Sequence, residues 1–177
     1  MIQSREKRIG IFGGSFDPPH KGHLEISKLA IKKLSLDHIY WCITKKNPLK
    51  KKTFFSLTKR IKKCKTITNK ISKIKIKFFE YKIKSTNTIK LIKYLKTKNE
   101  KNILFLIIGS DNLIKFHKWK NWKLLPGLVK IVVFSRKDYD KKAKKSVTMK
   151  QVKNIKFFKN KPINISSTQI RKSYRIT

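Results

Sequence analysis

The stretch that most restricts how this chain can fold is Gly13-Gly14-Ser15-Phe16-Asp17-Pro18-Pro19-His20-Lys21-Gly22-His23. An apolar run at 9–12 precedes it, and over 24–31 apolar residues recur at helical spacing. That order predicts a strand, a glycine turn and a helix opening near Lys21 or Gly22, because the two prolines stiffen the turn and cannot continue a helix. A strand–turn–helix of this kind offers backbone N–H groups to an anion at the helix N-terminus. Gly13 and Gly14 carry no Cβ to hold a ligand away from the backbone. His20 and His23, three apart, fall on one side of the first helical turn with Lys21 beside them. The stretch therefore predicts a phosphate-handling site.

Two histidines at this spacing also suit zinc, but a structural zinc site needs four ligands and a catalytic one usually three. Cys42, Cys64, His38 and His117 are scattered singly and supply no ligand pair, so no metal held by protein ligands is expected. Asp17 has a structural reading, in which its carboxylate bonds the turn's own amides.

The remaining chain alternates between the two periodicities. Residues 38–44 and 74–81 read as strands, 56–69 as a helix capped by Ser56, and Asn47-Pro48-Leu49-Lys50 as a loop. Ser85-Thr86-Asn87-Thr88 offers caps for an amphipathic helix over 89–95. Residues 103–108 are continuously apolar, as in a parallel strand covered on both faces, and end in Gly109-Ser110-Asp111. After Phe116, Trp119 and Trp122 comes a break at Pro126-Gly127 and a strand over 128–134 ending in Ser135-Arg136. Residues 138–150 read as a surface loop with a partial helix, 155–158 as a short strand, and Ile165-Ser166-Ser167-Thr168-Gln169-Ile170-Arg171 as a capped last helix. Strands alternating with helices predict an α/β fold with a doubly wound, mainly parallel sheet, and 177 residues without a repeat or linker fit a single domain. Ligands in such sheets sit beyond the carboxyl ends of the strands, so the 13–23 stretch, Gly109-Ser110-Asp111 and Ser135-Arg136 should share one crevice.

Lys plus Arg number 47 against 9 Asp plus Glu, a net charge of +38. The lysines run along the whole length and no nucleic-acid-binding motif accompanies them, so the charge reads as a solvated surface. Nucleic-acid binding without sequence preference, weakening steeply with salt, is the minority alternative. Two unpaired cysteines, no signal peptide and no apolar run near membrane-spanning length predict a cytoplasmic protein with no membrane partner.

Histidines, hydroxyls, an arginine and helix N-termini suit nucleotidyl transfer, which needs charge neutralisation and alignment rather than a strong base when the nucleophile is an ionised phosphate. With only Asp17 and Asp111 among the motif carboxylates, Mg²⁺ would be held mainly by ATP phosphates and water. The 13–23 stretch resembles the signature of the His-x-Gly-His nucleotidyltransferases. Ile107-Ile108-Gly109-Ser110-Asp111-Asn112-Leu113 with Phe116 and Trp119, the 85–88 segment, the 47–50 loop and the 165–171 string are similar to those of the bacterial nicotinate-nucleotide adenylyltransferases. The resemblance implies a Rossmann-like fold and transfer of AMP from ATP to nicotinate mononucleotide, giving deamido-NAD and pyrophosphate. By the same resemblance, Gly13, Gly14, Ser15 and Phe16 contact phosphates, and His20, His23 and Arg171 are catalytic and hold ATP together with Ser167 and Thr168. Gly109 and Asp111 lie by the ATP ribose, and Ser85 or Thr86, Trp119, Asn47 and Lys50 receive the acceptor. Trp119 has an equally good reading as a core aromatic, and a sister transferase acting on phosphopantetheine or nicotinamide mononucleotide is the enzyme alternative.

Overall fold

Strand β1 (Arg8–Gly14) occupies the middle of the fold because its neighbours can close on it. A Cβ on Gly10 would lie 2.8 Å from Leu36 and 2.9 Å from Ile39, so only glycine lets the Leu36 and Ile39 side chains pack there. The computed structural model describes residues 6–45, 52–98, 100–161 and 165–174. After β1 come α1 (Lys21–Lys33), β2 (His38–Ile43), α2 (Leu57–Thr68), β3 (Ile74–Lys77), α3 (Glu80–Ile83), α4 (Thr88–Lys98) and β4 (Ile103–Gly109). They are followed by α5 (Ser110–Lys115), 3₁₀ turns at Phe116–Lys118 and Trp122–Leu124, α6 (Leu125–Leu128), β5 (Lys130–Phe134), α7 (Asp140–Lys144), α8 (Val147–Gln151), β6 (Lys156–Phe158) and α9 (Ser167–Ser173).

All strand pairings are parallel, in the order β3-β2-β1-β4-β5-β6. The chain runs outward from β1 to β3 and then returns to lay β4 on the other side of β1. Strand order reverses there, which opens a crevice beyond the carboxyl ends of β1 and β4. The doubly wound expectation holds, and side-chain alternation shows why. Ile9, Ile11, Leu104, Leu106, Ile108, Ile131 and Val133 face one core, which α4 covers with Ile89, Ile92 and Leu95. Phe12, Phe105, Ile107, Val132 and Phe134 face the other, which α1 covers with Ala30 and α2 with Cys64. Two covered faces explain why 103–108 is apolar without interruption.

Three element expectations change. The strand expected over 74–81 stops at Lys77, because Phe79 turns to bury its ring against Tyr40 and Tyr94, 5.6 and 6.0 Å away. The strand expected from 128 begins at Lys130, since Leu125–Leu128 forms a helical turn with Pro126 in its first turn, where a missing N–H costs nothing. The 138–150 segment holds two short helices, α7 and α8, rather than a loop with one. None of the described helices is long and apolar enough to cross a membrane.

Candidate active site

The two histidines cap the helix they open. His20 is the N-cap of α1, and its Nδ1 accepts the Gly22 N–H at 3.1 Å, while His23 Nδ1 accepts the His20 N–H at 3.2 Å. This reciprocal capping box is built from two imidazoles in place of the usual hydroxyl and carboxylate. It has a chemical consequence. A neutral ring that accepts at Nδ1 carries its proton at Nε2. Burial, then the nearby Arg136 charge, lowers the His20 pKa from 6.5 to about 4, which keeps that ring neutral near pH 7. The helix's own first N–H groups at Gly22 and His23 are spent inside the cap.

Packing fixes the rings. His20 and His23 have centroids 3.9 Å apart, and Phe16 lies 4.9 Å from His23 and stacks on the buried Trp41 at 4.7 Å. Trp41 Nε1 donates to Ser27 Oγ, which donates to the His23 carbonyl, each at 2.8 Å. Phe16 adopts a left-handed backbone, with φ at 46°, which an aromatic residue keeps only where its surroundings determine it. Gly14 lets the Phe16 ring fold back over it, since a Cβ there would meet the ring at 3.3 Å, and Gly13 is exposed with open space around its Cα.

Asp17 does not bond its own turn. Its buried carboxylate accepts the N–H groups of Phe54 and Phe55 at 2.7 and 2.8 Å, 37 and 38 residues away. Beside it lies Arg60, which sequence reasoning did not single out. Arg60 is 1% exposed, and its guanidinium donates to four carbonyls: Ser15 and Thr44 at 2.7 Å, Lys45 at 2.8 Å and Phe55 at 3.1 Å. Burying a cation costs several kcal/mol. Four charge-assisted hydrogen bonds at ~1.5–3 kcal/mol each are of the size that offsets it. Composition held the signal. Only six of the 47 cations are arginine, and those at Arg8, Arg60, Arg136 and Arg171 all donate side-chain hydrogen bonds, Arg60 and Arg171 through more than one guanidinium nitrogen.

Across the crevice, Arg136 Nη1 pairs with Asp111 Oδ2 at 2.9 Å, and Asp111 Oδ1 lies so close over Gly109 that a Cβ there would be 2.5 Å from it. The Arg136 N–H donates to Ser110 Oγ and to Asp140 Oδ1, and Ser135 Oγ donates to Asp140 Oδ2, tying the ends of β4 and β5 together. Helix α9 closes onto the 13–23 loop. Ser167 Oγ donates to the Pro18 carbonyl at 2.9 Å, and Arg171 donates to the Asp17 carbonyl at 2.6 Å and to Thr168 Oγ1 at 3.0 Å. The structure thus gathers Gly13, Gly14, Ser15, Phe16, His20, His23, Ser167, Thr168 and Arg171 around one loop, with Gly109 at the end of β4 and Asp111 in the first turn of α5.

Ser85, Thr86 and Trp119 are placed by local contacts. Ser85 Oγ accepts the Asn87 N–H ahead of α4, Thr86 is exposed, and the half-buried Trp119 ring lies 4.9 Å from Phe116. Trp119 packs against the core with one part and keeps another accessible, so its two readings are not exclusive. Asn47 and Lys50 lie outside the described residues. No group of three or more His, Cys, Asp or Glu among the described residues is placed to hold a metal ion.

Comparison with known proteins identifies the family and the fold. The profile of the cytidylyltransferase-like family matches residues 11–173. A Pelagibacter ubique protein named "Probable nicotinate-nucleotide adenylyltransferase" is 49% identical over 173 residues, 97% of this chain and 96% of that protein. A Nitratiruptor protein of the same name is 38% identical over 165 residues, 93% of this chain and 87% of that one. The solved structure of Plasmodium falciparum nicotinic acid mononucleotide adenylyltransferase complexed with NaAD superposes with a TM-score of 0.76, covering 94% of this chain and 83% of that one. At 22% identity that likeness speaks for the fold alone. By the reach of the profile and the near full-length relatives, this chain belongs to the cytidylyltransferase-like family, in its nicotinate-nucleotide adenylyltransferase group.

Proposed function

We propose that the protein transfers AMP from ATP to nicotinate mononucleotide, forming deamido-NAD and pyrophosphate. The observation that carries this reading is the pair of imidazoles at the opening of α1, their Nδ1 atoms engaged in the helix cap, beside the switch point of the sheet. An oxygen of the acceptor's phosphate attacks the α-phosphorus of ATP, the bond to the β-phosphate oxygen breaks, and pyrophosphate leaves with the electron pair. The nucleophile is already ionised, so no base is required. His20 and His23 donate to oxygens that gain charge as the displacement proceeds. Ser167, Thr168 and Arg171 receive the β- and γ-phosphates beside them, and Gly109 and Asp111 meet the ribose. Ser85 or Thr86, with the Trp119 ring, receives the nicotinate.

Mg²⁺ fits this reading as an ion that arrives with the triphosphate. Asp17 spends both carboxylate oxygens on the Phe54 and Phe55 N–H groups, and Asp111 pairs with Arg136 through Oδ2. The ion's ligands would be mainly phosphate oxygens and water, and it would supply charge neutralisation there. The test is pyrophosphate release from ATP with nicotinate mononucleotide, nicotinamide mononucleotide and phosphopantetheine as acceptors. Fastest release with the first is expected, and release that prefers phosphopantetheine would replace the reading with the sister activity. A salt titration on the same preparation addresses the +38 charge. Polyanion binding should be mostly lost near physiological salt while transfer falls only modestly.

A further inference from the structure

We propose that Arg60 is a positioning residue for adenylyl transfer, holding the turn on which His20 and His23 are mounted; this rests on the reaction proposed above. Its guanidinium joins three chain segments that are distant in sequence: the nucleotide loop through the Ser15 carbonyl, the end of β2 through Thr44 and Lys45, and the lead into α2 through Phe55. The Ser15 carbonyl immediately precedes Phe16, the residue held in a left-handed conformation. On the other side of Phe16, the Asp17 carboxylate takes the Phe54 and Phe55 N–H groups. Phe55 is therefore gripped at its N–H by Asp17 and at its carbonyl by Arg60, and the strained residue lies between the two grips. The Phe16 ring in turn packs beside His23 and on Trp41. A shift of the Ser15 carbonyl is transmitted through Phe16 to both imidazoles. Four hydrogen bonds diverging from one planar group need a guanidinium, since a lysine ammonium has three donors and no fork.

The test compares Arg60→Lys and Arg60→Ala with Cys64→Ala, which removes a buried thiol from the same helix without touching those carbonyls. Assays run well below each melting midpoint, so that kcat is read per folded molecule. Arg60→Lys should lose roughly 10²-fold in kcat, the cost of misplacing a reacting geometry by about 1 Å, with a much smaller change in KM for ATP. Cys64→Ala should melt earlier yet keep wild-type kcat. Guanidinium added far below denaturing concentration should restore part of the activity of Arg60→Ala, because it can occupy the vacated donor position. Wild-type kcat in Arg60→Lys, or a Cys64→Ala loss as large as that of Arg60→Lys, would overturn the positioning role while leaving the reaction reading intact. Failure of both Arg60 variants to fold would also overturn it, making Arg60 a requirement of folding. Wild-type protein that releases no pyrophosphate with any acceptor would withdraw both readings together.

Discussion

The 13–23 loop and the segments at 85–88 and 119–122, proposed as the acceptor side, are built by opposite means. The loop is held by bonds that reach across the chain: Asp17 to Phe54 and Phe55, Arg60 to Ser15, Ser167 to Pro18, and Arg171 to Asp17. The acceptor side is held by neighbours in sequence, with Ser85 bonded to Asn87 and Trp119 donating its backbone N–H to Phe116. Charge that develops during a displacement is stabilised only by donors already in place, which calls for the cross-chain kind of support. A pocket that recognises an intact ring tolerates adjustment, and local turns suffice for it.

The sharpest test of that contrast is on the loop itself. His20→Ala or His23→Ala should lower kcat by about 10²–10³-fold, the scale of losing one preorganised donor, as measured by pyrophosphate release at saturating ATP and acceptor. Unchanged turnover in both variants would end the assignment. Each change also removes half of the capping box, so a melting curve must accompany the kinetics.

Arg171→Lys probes a tie between α9 and the loop. Losing one charge-assisted bond of ~1.5 kcal/mol corresponds to about tenfold in kcat/KM for ATP. If lysine gives wild-type values, the 165–171 string serves only as a helix cap.

On the acceptor side the effects should be smaller and separable. Ser85→Ala removes a hydroxyl that accepts the Asn87 N–H, so it should cost roughly 0.5–1 kcal/mol in stability and raise the acceptor KM a few-fold. Thr86→Ala, at an exposed site, should leave the melting midpoint unchanged and alter only the acceptor KM. A larger kcat loss in either than in the histidine variants would invert the comparison.

A last expected effect concerns pH and leaves activity near neutrality untouched. Burial first, then Lys75 and Lys7, lower the His38 pKa from 6.5 to about 4. A histidine whose folded pKa is depressed favours the folded state fully above 6.5, and that contribution is lost as pH falls toward 4, because only the unfolded chain takes up the proton in that window. His20 behaves alike. His38→Leu should therefore flatten the fall in unfolding free energy between pH 6.5 and 4 by up to about 1.4 kcal/mol per pH unit, the linkage of one proton. A slope identical to wild type would show that His38 protonates equally in both states.

The sequence by itself determined the alternation of elements, the parallel sheet, the strand–turn–helix of the 13–23 stretch and the family, because these depend on local periodicity, turn residues and short motifs. The unbroken apolar run at 103–108 already specified a strand with two covered faces. Sequence also placed His20 and His23 at a helix opening, since residues three apart share a side of the first turn. Only the tertiary structure decided what those residues do there. That the imidazoles cap each other follows from ring orientation, which spacing does not encode. Asp17 is chosen by amides 37 and 38 residues away and Arg60 by carbonyls up to 45 residues away. Phe79 leaves the strand because Tyr40 and Tyr94 offer its ring a better burial than the ladder does. Each of these outcomes depends on partners brought together by the winding of the chain, and a contact across that distance leaves no period in the sequence to read.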